Sequence, residues 1–464
     1  MRGRPGFVHQ PLVGKEHTTQ KDQQGLALPG ATPEAAALYC TALRAYNIYR
    51  GDPVGCLDAA LEIAPDFHMA KVCKAHLHAV SSEPAAMAIA RGLLDELKRA
   101  DFDERAASHV RALDLLYTEG WHAAATALDI HNLRWPTDLL AVQTGHLIDF
   151  LRGSARNLRD RIARVLPQWS PDMPGYPVLL GMHAFGLEES GDYARAEDAG
   201  RRAVELEPLD GWAAHAVAHV MEMQGRAEEG IEWLHTTRSG WDGDDNFFKV
   251  HNWWHLAVFH MGLEQAQEAL ALYDARIRKD RSATALDLVD ASALLWRLQL
   301  AGIDIGSRAA EAAEAWLQHA DGRTYTFNDW HAFMSCLQAG WESEAVRLLK
   351  AVQRTAAGHG EAAEWARKAA VPLMEGFLAY WRKDDRKAVE LLHPARYAAS
   401  VFGGSHAQRD IIDLTLMKSA LRGGMRDYAE ALVCERLALK PHSPVNQRFL
   451  RLARAPRTAL AQAA

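Results

Sequence analysis

The apolar positions of this chain never fall into period-two runs of valine, isoleucine or threonine. Alanine, leucine, glutamate and arginine dominate instead, which is the vocabulary of helices. The clearest stretch is "YPVLLGMHAFGLEESGDYARAEDAGRRAVELEPLD", Tyr176 to Asp210. It predicts one helix ending at Gly191, a second helix with Ala196 and Ala203 facing inward, and a close at Pro208. The pattern then recurs: Ala184 is followed by Ala218 and Gly191 by Gly225, each 34 residues on. That is the tetratricopeptide period, in which each helix pair buries a small-residue face against the next pair.

The same register continues in both directions. Ala257 and Ala269 take the small positions of the following unit, Ala345 that of a later one, and Gly424, Ala429 and Pro441 mark the last. Upstream, Gly120 with Ala125 and Gly51 with Ala60 and Pro65 fit more loosely. Thr32 as N-cap with Pro33 in the first helical position opens the array. The expectation is an all-α, right-handed solenoid of tetratricopeptide-type helix pairs over residues 32–444, about eight or nine units curled into a ring-like superhelix. Residues 1–31 and 445–464 read as tails.

Within that register two segments carry unusual polar residues. "HAVAH" (His215 to His219) and "HNWWH" (His251 to His255) each place two histidines four apart, on one helical face. Both lie on first helices of their units, which line the concave side, and none of the four occupies the small packing position. The two pairs form a staggered ladder in which His215 and His255 are nearly level. Neutral imidazoles at this spacing suit a divalent metal, zinc first, with His215, His219, His251 and His255 as ligands. A metal-free proton-transfer or hydrogen-bonding cluster and plain core packing are the other readings. The residues inside the pairs are not those of HExxH, so the glutamate base of a metalloprotease is missing.

Further residues point the same way. "DLVDAS" puts Asp287 and Asp290 on one helical face, and "FNDWH" repeats the position of His255 at His331, with Asn328 a turn earlier. "GGSHAQRD" offers a helix start at which Ser405 caps and His406, Gln408 and Arg409 could clamp an anion. Fourteen tryptophans are many, and Trp253, Trp254 and Trp330 adjoin the histidines. Most tryptophans in such an array are core; a few on a groove would suit a ring or alkyl chain.

Composition narrows the classes. With 48% apolar and 24% charged residues the chain is globular, and a net charge of −7 without a dense basic cluster argues against nucleic acid. Five scattered cysteines, never in a CxxC, argue for a reducing compartment. There is no secretory-type apolar stretch near the start and no run of 18 apolar residues, so the expectation is a cytoplasmic protein with no membrane partner.

At "HAVAHVMEMQGR", "HNWWHLAVFH", "DASALLWRL", "FNDWHA" and "GGSHAQRD" the chain resembles the tetratricopeptide repeat protein 38 family, over residues 24–445. The resemblance implies an α-solenoid and singles out His215, His219, His251, His255, His331 and His406 as motif positions; it supplies no activity. Two functional readings stay open. One is a His/Asp/Trp-rich pocket for a small molecule, a metal-assisted or acid–base hydrolase-like enzyme with His215, His255, Asp290 and His331 as catalytic residues and Trp254, Asn328, His406, Gln408 and Arg409 binding substrate. The other is a scaffold gripping a peptide or protein, without catalysis. Oligomeric state is not legible.

Overall fold

The computed structural model describes residues 19–455. It is all-α apart from a two-stranded hairpin, Gln20–Lys21 against Ala27–Leu28. Successive helices pair from Pro33–Ile48 with Pro53–Ile63 through to His406–Arg422 with Arg426–Leu439, and Pro444–Arg454 follows as a single closing helix. Eleven pairs are described, more than the eight or nine expected. The surplus lies before residue 170, where the pairs Pro33–Ile48/Pro53–Ile63, His68–Ala79/Pro84–Leu97, Glu104–Thr118/Trp121–Arg134 and Leu139–Leu151/Ala155–Val165 carry weak small-residue signals.

Local chemistry explains the element ends. Thr32 Oγ1 accepts from the Ala35 amide at 3.2 Å with Pro33 next to it, satisfying one of the orphan amides of a helix start. Gly225 closes the Gly211–Gln224 helix in the left-handed conformation at φ 71°, which glycine adopts without a Cβ penalty. Ala60, Ala184, Ala196, Ala203, Ala218, Ala257, Ala269, Ala345 and Ala429 are all fully buried. Small side chains there let neighbouring helices approach closely, so the expected packing register holds.

Both expected tails contain structure. Asp22, in the hairpin, lies 3.4 Å from buried Arg105, and Leu28 is buried. At the other end Phe449 and Ala453 of the closing helix are buried, because its one apolar face covers the end of the array. Residues 1–18 and 456–464 of those tails lie outside the described residues.

The array closes on itself. Tyr325 donates its hydroxyl to the Leu151 carbonyl at 2.9 Å, Asn328 donates to the Ser82 carbonyl at 3.1 Å, and the Ala285 amide donates to Glu83 at 2.8 Å. Near residue 50, the amides of Gly51 and Phe247 bond to the carbonyls of Asp245 and Tyr49, each at 2.8 Å. Gly153 sits at one such seam with φ 62°, and a Cβ there would lie 1.7 Å from the Ser400 carbonyl oxygen. Gly153→Ala should therefore cost about 2–3 kcal/mol, from the left-handed backbone and the displaced loop together. Urea unfolding measures it; a change below about 0.5 kcal/mol would mean that the seam yields freely.

The consequence for function is that the concave side is filled. Where an enclosed pocket lined by histidines was expected, His215, His255 and His331 are buried among neighbouring side chains.

Candidate metal centre

Four elements build the centre. The Gly211–Gln224 helix brings His215 and His219, Lys249–Gly262 brings His251 and His255, Ala285–Leu300 brings Asp290, and Tyr176–Glu189 brings Phe185 and Glu188. Asp210 starts the first of these by accepting from the amides of Trp212 and Ala213 at 3.0 and 3.1 Å, which fixes where its histidines fall. The i, i+4 spacing stacks each pair on one face, and adjacent packing of the two helices brings the pairs together.

One nitrogen from each of His215, His219, His251 and His255 lies within 4.8 Å of all the others. His215 and His255 rings are 5.0 Å apart, so the two expected to be level can share one ligand. The Nε2 atoms of His215 and His251 stand 3.1 Å apart. A tetrahedral set of nitrogens about 2.05 Å from zinc has neighbours about 3.3 Å apart. Both Asp290 oxygens lie 2.9 Å from His251 Nδ1, which donates to that carboxylate and leaves Nε2 turned to the cluster. This is the carboxylate–histidine arrangement that orients a metal ligand. The surroundings are aromatic: Phe185 stacks on His215 at 5.4 Å and Trp254 on His251 at 5.3 Å.

The hydrogen-bond ledger here is unbalanced. His219 and His255 have no partner at either ring nitrogen, and His215 has none at Nδ1. Both oxygens of Glu188 are also unpartnered, with Oε2 3.6 Å from His219 Nδ1. The four histidines are at most 4% exposed. Burial pushes His219 down to about 3, and drives His215 and His255 well below the usual histidine range, the neighbouring imidazoles adding to it. Burial, with Glu189 adjacent, likewise raises Glu188 well above the carboxylate range. Each neutral imidazole offers one ring lone pair, and here four such rings converge, a group that could hold a metal ion.

A second buried cluster makes an instructive contrast. Asp138 Oδ2 accepts from Arg105 Nε at 2.5 Å, His109 Nε2 at 3.0 Å and His131 Nε2 at 3.1 Å. His109 Nδ1 pairs with His76 and His131 Nδ1 with Ser108, so every ring nitrogen of His109 and His131 is spent. Burial alone would raise Asp138, but Arg105 and His109 outweigh it and hold it well below its ordinary range. That network is self-sufficient, and sequence reading missed it because its members are scattered over four elements.

The other expected site residues do not join the four histidines. His331 donates Nδ1–H to the Phe327 carbonyl one turn earlier at 2.8 Å; its Nε2 is buried and unpartnered. Asn328 ties the helix start to Ser82. Gln408 completes a capping box with Ser405, its side chain accepting from the Ser405 amide at 2.9 Å. The anion expected at "GGSHAQRD" is supplied by the chain itself. Glu189 accepts from the His406 amide at 2.9 Å and lies 3.3 Å from its Nδ1 and 3.5 Å from Arg409. Burial opposes that charge, yet His406 and Arg409 hold Glu189 below its usual range. The His406 side chain is 40% exposed, so the single enclosed cavity imagined around His215, His255, His331 and His406 is replaced by a packed interior. Sequence reading also passed over Glu188, Phe185 and Arg297, which no spacing marks out.

His331 yields a test of burial. Its environment lowers it from 6.5 to about 3, mainly by burial. The folded state thus prefers neutral imidazole, and the stability this preference provides is complete above about pH 6.5 and drains away as pH falls toward 3. His331→Leu should remove about 3 kcal/mol of the acid loss at pH 4 relative to pH 7, at 1.36 kcal/mol per pH unit. Urea midpoints of both proteins at the two pH values measure it; parallel losses would mean the ring protonates in place.

No family model matches the chain. Among solved structures it is similar to the APC/C hetero-tetramer Cut9-Hcn1, at 15% identity and TM-score 0.45, covering 91% of this chain and 76% of that one. It is also similar to the human IFIT1 dimer with PPP-AAAA, at 14% identity and TM-score 0.40, covering 92% and 94%. Likenesses so distant say nothing about a ligand. The helix pairs and their buried alanines define the class directly: an all-α solenoid of the tetratricopeptide-repeat type. No described helix is long and apolar enough to cross a membrane.

Proposed function

We propose that this protein is a helical-repeat scaffold whose core is locked by one divalent metal ion, zinc first, held by His215, His219, His251 and His255. The observation that carries the reading is the convergence of four ligand nitrogens within 4.8 Å, at a place where five ring nitrogens have no partner. Asp290 acts as the positioning residue, holding His251 in the tautomer that offers Nε2. Bound metal would supply a cross-link between two successive repeats. Four protein ligands fill a tetrahedral shell, and sites of that kind are structural, whereas catalytic zinc keeps a position open. The scaffold reading is accordingly favoured over the hydrolase-like one, and the resemblance to the tetratricopeptide repeat protein 38 family is kept here as a proposed kinship.

Elemental analysis of protein purified without a histidine tag tests this. The expected result is about one metal ion per chain, lost in His219→Ala and His255→Ala variants that keep their helical circular dichroism. Less than about one-tenth of an ion per chain, also after incubation with zinc, would overturn the reading.

A further inference from the structure

A cavity of about 550 Å³ lies where the last units close on the middle of the array. It is separate from the four histidines, none of which lines it. Helices Gly211–Gln224, Lys249–Gly262 and Ala285–Leu300 form one side; His406–Arg422, Arg426–Leu439 and the closing helix Pro444–Arg454 form the other. Its size is that of a small-molecule site.

Charge is distributed unevenly over its walls. Four basic side chains are already matched: Lys440 to Glu222 at 2.8 Å, Arg226 to Glu229 at 2.7 Å, Arg448 to Glu264 at 2.8 Å, and Arg436 to Asp410. Two are not. Arg297 is only 4% exposed, yet it has no ion pair among the described residues. Its hydrogen bonds go to the carbonyls of Ala293 at 3.3 Å and Ala407 at 2.7 Å, which use two of the five donors of a guanidinium, and it lies 5.4 Å from the Trp254 ring. Lys418, half-buried, has a cation–π contact with Phe449 at 5.8 Å and no carboxylate partner among the described residues. Burial, with Arg448 and Arg422 nearby, lowers Lys418 to about 8. Burial opposes the Arg297 charge and outweighs Asp410 and Glu222, which favour it from beyond ion-pair distance, so an anion in direct contact with the guanidinium would relieve it.

Val258, Met261, Leu300, Ile303, Leu414 and Phe449 give the wall an apolar stretch, while Glu228, His442 and Ser443 add polar groups elsewhere on the lining. We infer that this cavity binds a monocarboxylate with an apolar tail, the carboxylate on the free edge of Arg297, the tail along the aliphatic wall, and Lys418 supplying a second positive charge. A planar carboxylate matches the guanidinium fork.

Octanoate is the probe, titrated calorimetrically into the full-length protein, with octanol and octylamine as partners of equal tail length. Octanoate is expected to bind saturably with a dissociation constant on the order of 100 µM, from the efficiency of small ligands in such sites. Octanol and octylamine should be at least about tenfold weaker. Arg297→Gln should weaken octanoate at least about tenfold and Lys418→Gln about threefold. Leu414→Trp, which fills the cavity from a half-buried wall position, should abolish binding and decides the matter if the Arg297 variant does not fold. No saturable octanoate binding, equal binding of octanol, or affinity unmoved by Leu414→Trp would each overturn the inference.

Discussion

Asp138→Ala is expected to destabilise the protein by about 4 kcal/mol or more. The carboxylate receives Arg105, His109 and His131 on one oxygen, all in places 5% exposed or less. Removing one partner of a buried ionic group leaves the others desolvated and unpaired, at about 3–5 kcal/mol. The same side chain caps Leu139–Leu151 through the Ala141 amide at 3.3 Å, and losing a cap adds about 1 kcal/mol. Arg105 keeps only the Ala27 carbonyl and the more distant Asp22. Urea unfolding at neutral pH measures the loss; less than about 1.5 kcal/mol would mean that water or rearrangement satisfies the network.

The second large effect concerns the four histidines. If metal is present at a thousand times its dissociation constant, stripping it removes about 4 kcal/mol of stability. For a chain of this length that is about 4 °C in the melting temperature. The wild-type protein should show this drop on chelation and recover when zinc is returned. His255→Ala should melt at the same temperature with or without chelator. A wild-type melting temperature that ignores both chelator and added zinc would leave the cluster as a metal-free feature of the core.

The parts of this molecule visible in its sequence are those set by short spacings. Ala184 and Ala218 share a register because both pack against the next helix, and both are fully buried. His215/His219 and His251/His255 share faces because a helix turn is close to four residues, and adjacent repeats then join the pairs. Asp290, expected as an acid–base group, lies one repeat further on against His251. What the spacing does not encode is closure. Whether His331 and His406 meet the other histidines depends on contacts across the ring, such as Tyr325 with Leu151 and Arg297 with Ala407, between residues more than 100 positions apart. At the helix start after Ser405, where a bound anion was one reading, the acidic group present is Glu189, from a helix 217 residues before His406. The early repeats stayed faint although Ala42, Ala75, Ala90 and Ala125 are buried there too, because their turn glycines Gly51, Gly120 and Gly153 do not fall 34 residues apart.

The seams that close the array also change how it must come apart. In an open repeat protein each unit touches only its neighbours, so terminal units fray and intermediates of every length can persist. Here Ala285 leans on Glu83, Asn328 on Ser82 and Phe247 on Tyr49, which couples the beginning of the chain to its middle. Unzipping from either end therefore severs links to units far along the sequence. The molecule should lose its structure in one broad-reaching cooperative step, and form it slowly, because loops of some 200 residues must be closed before those links reward the chain.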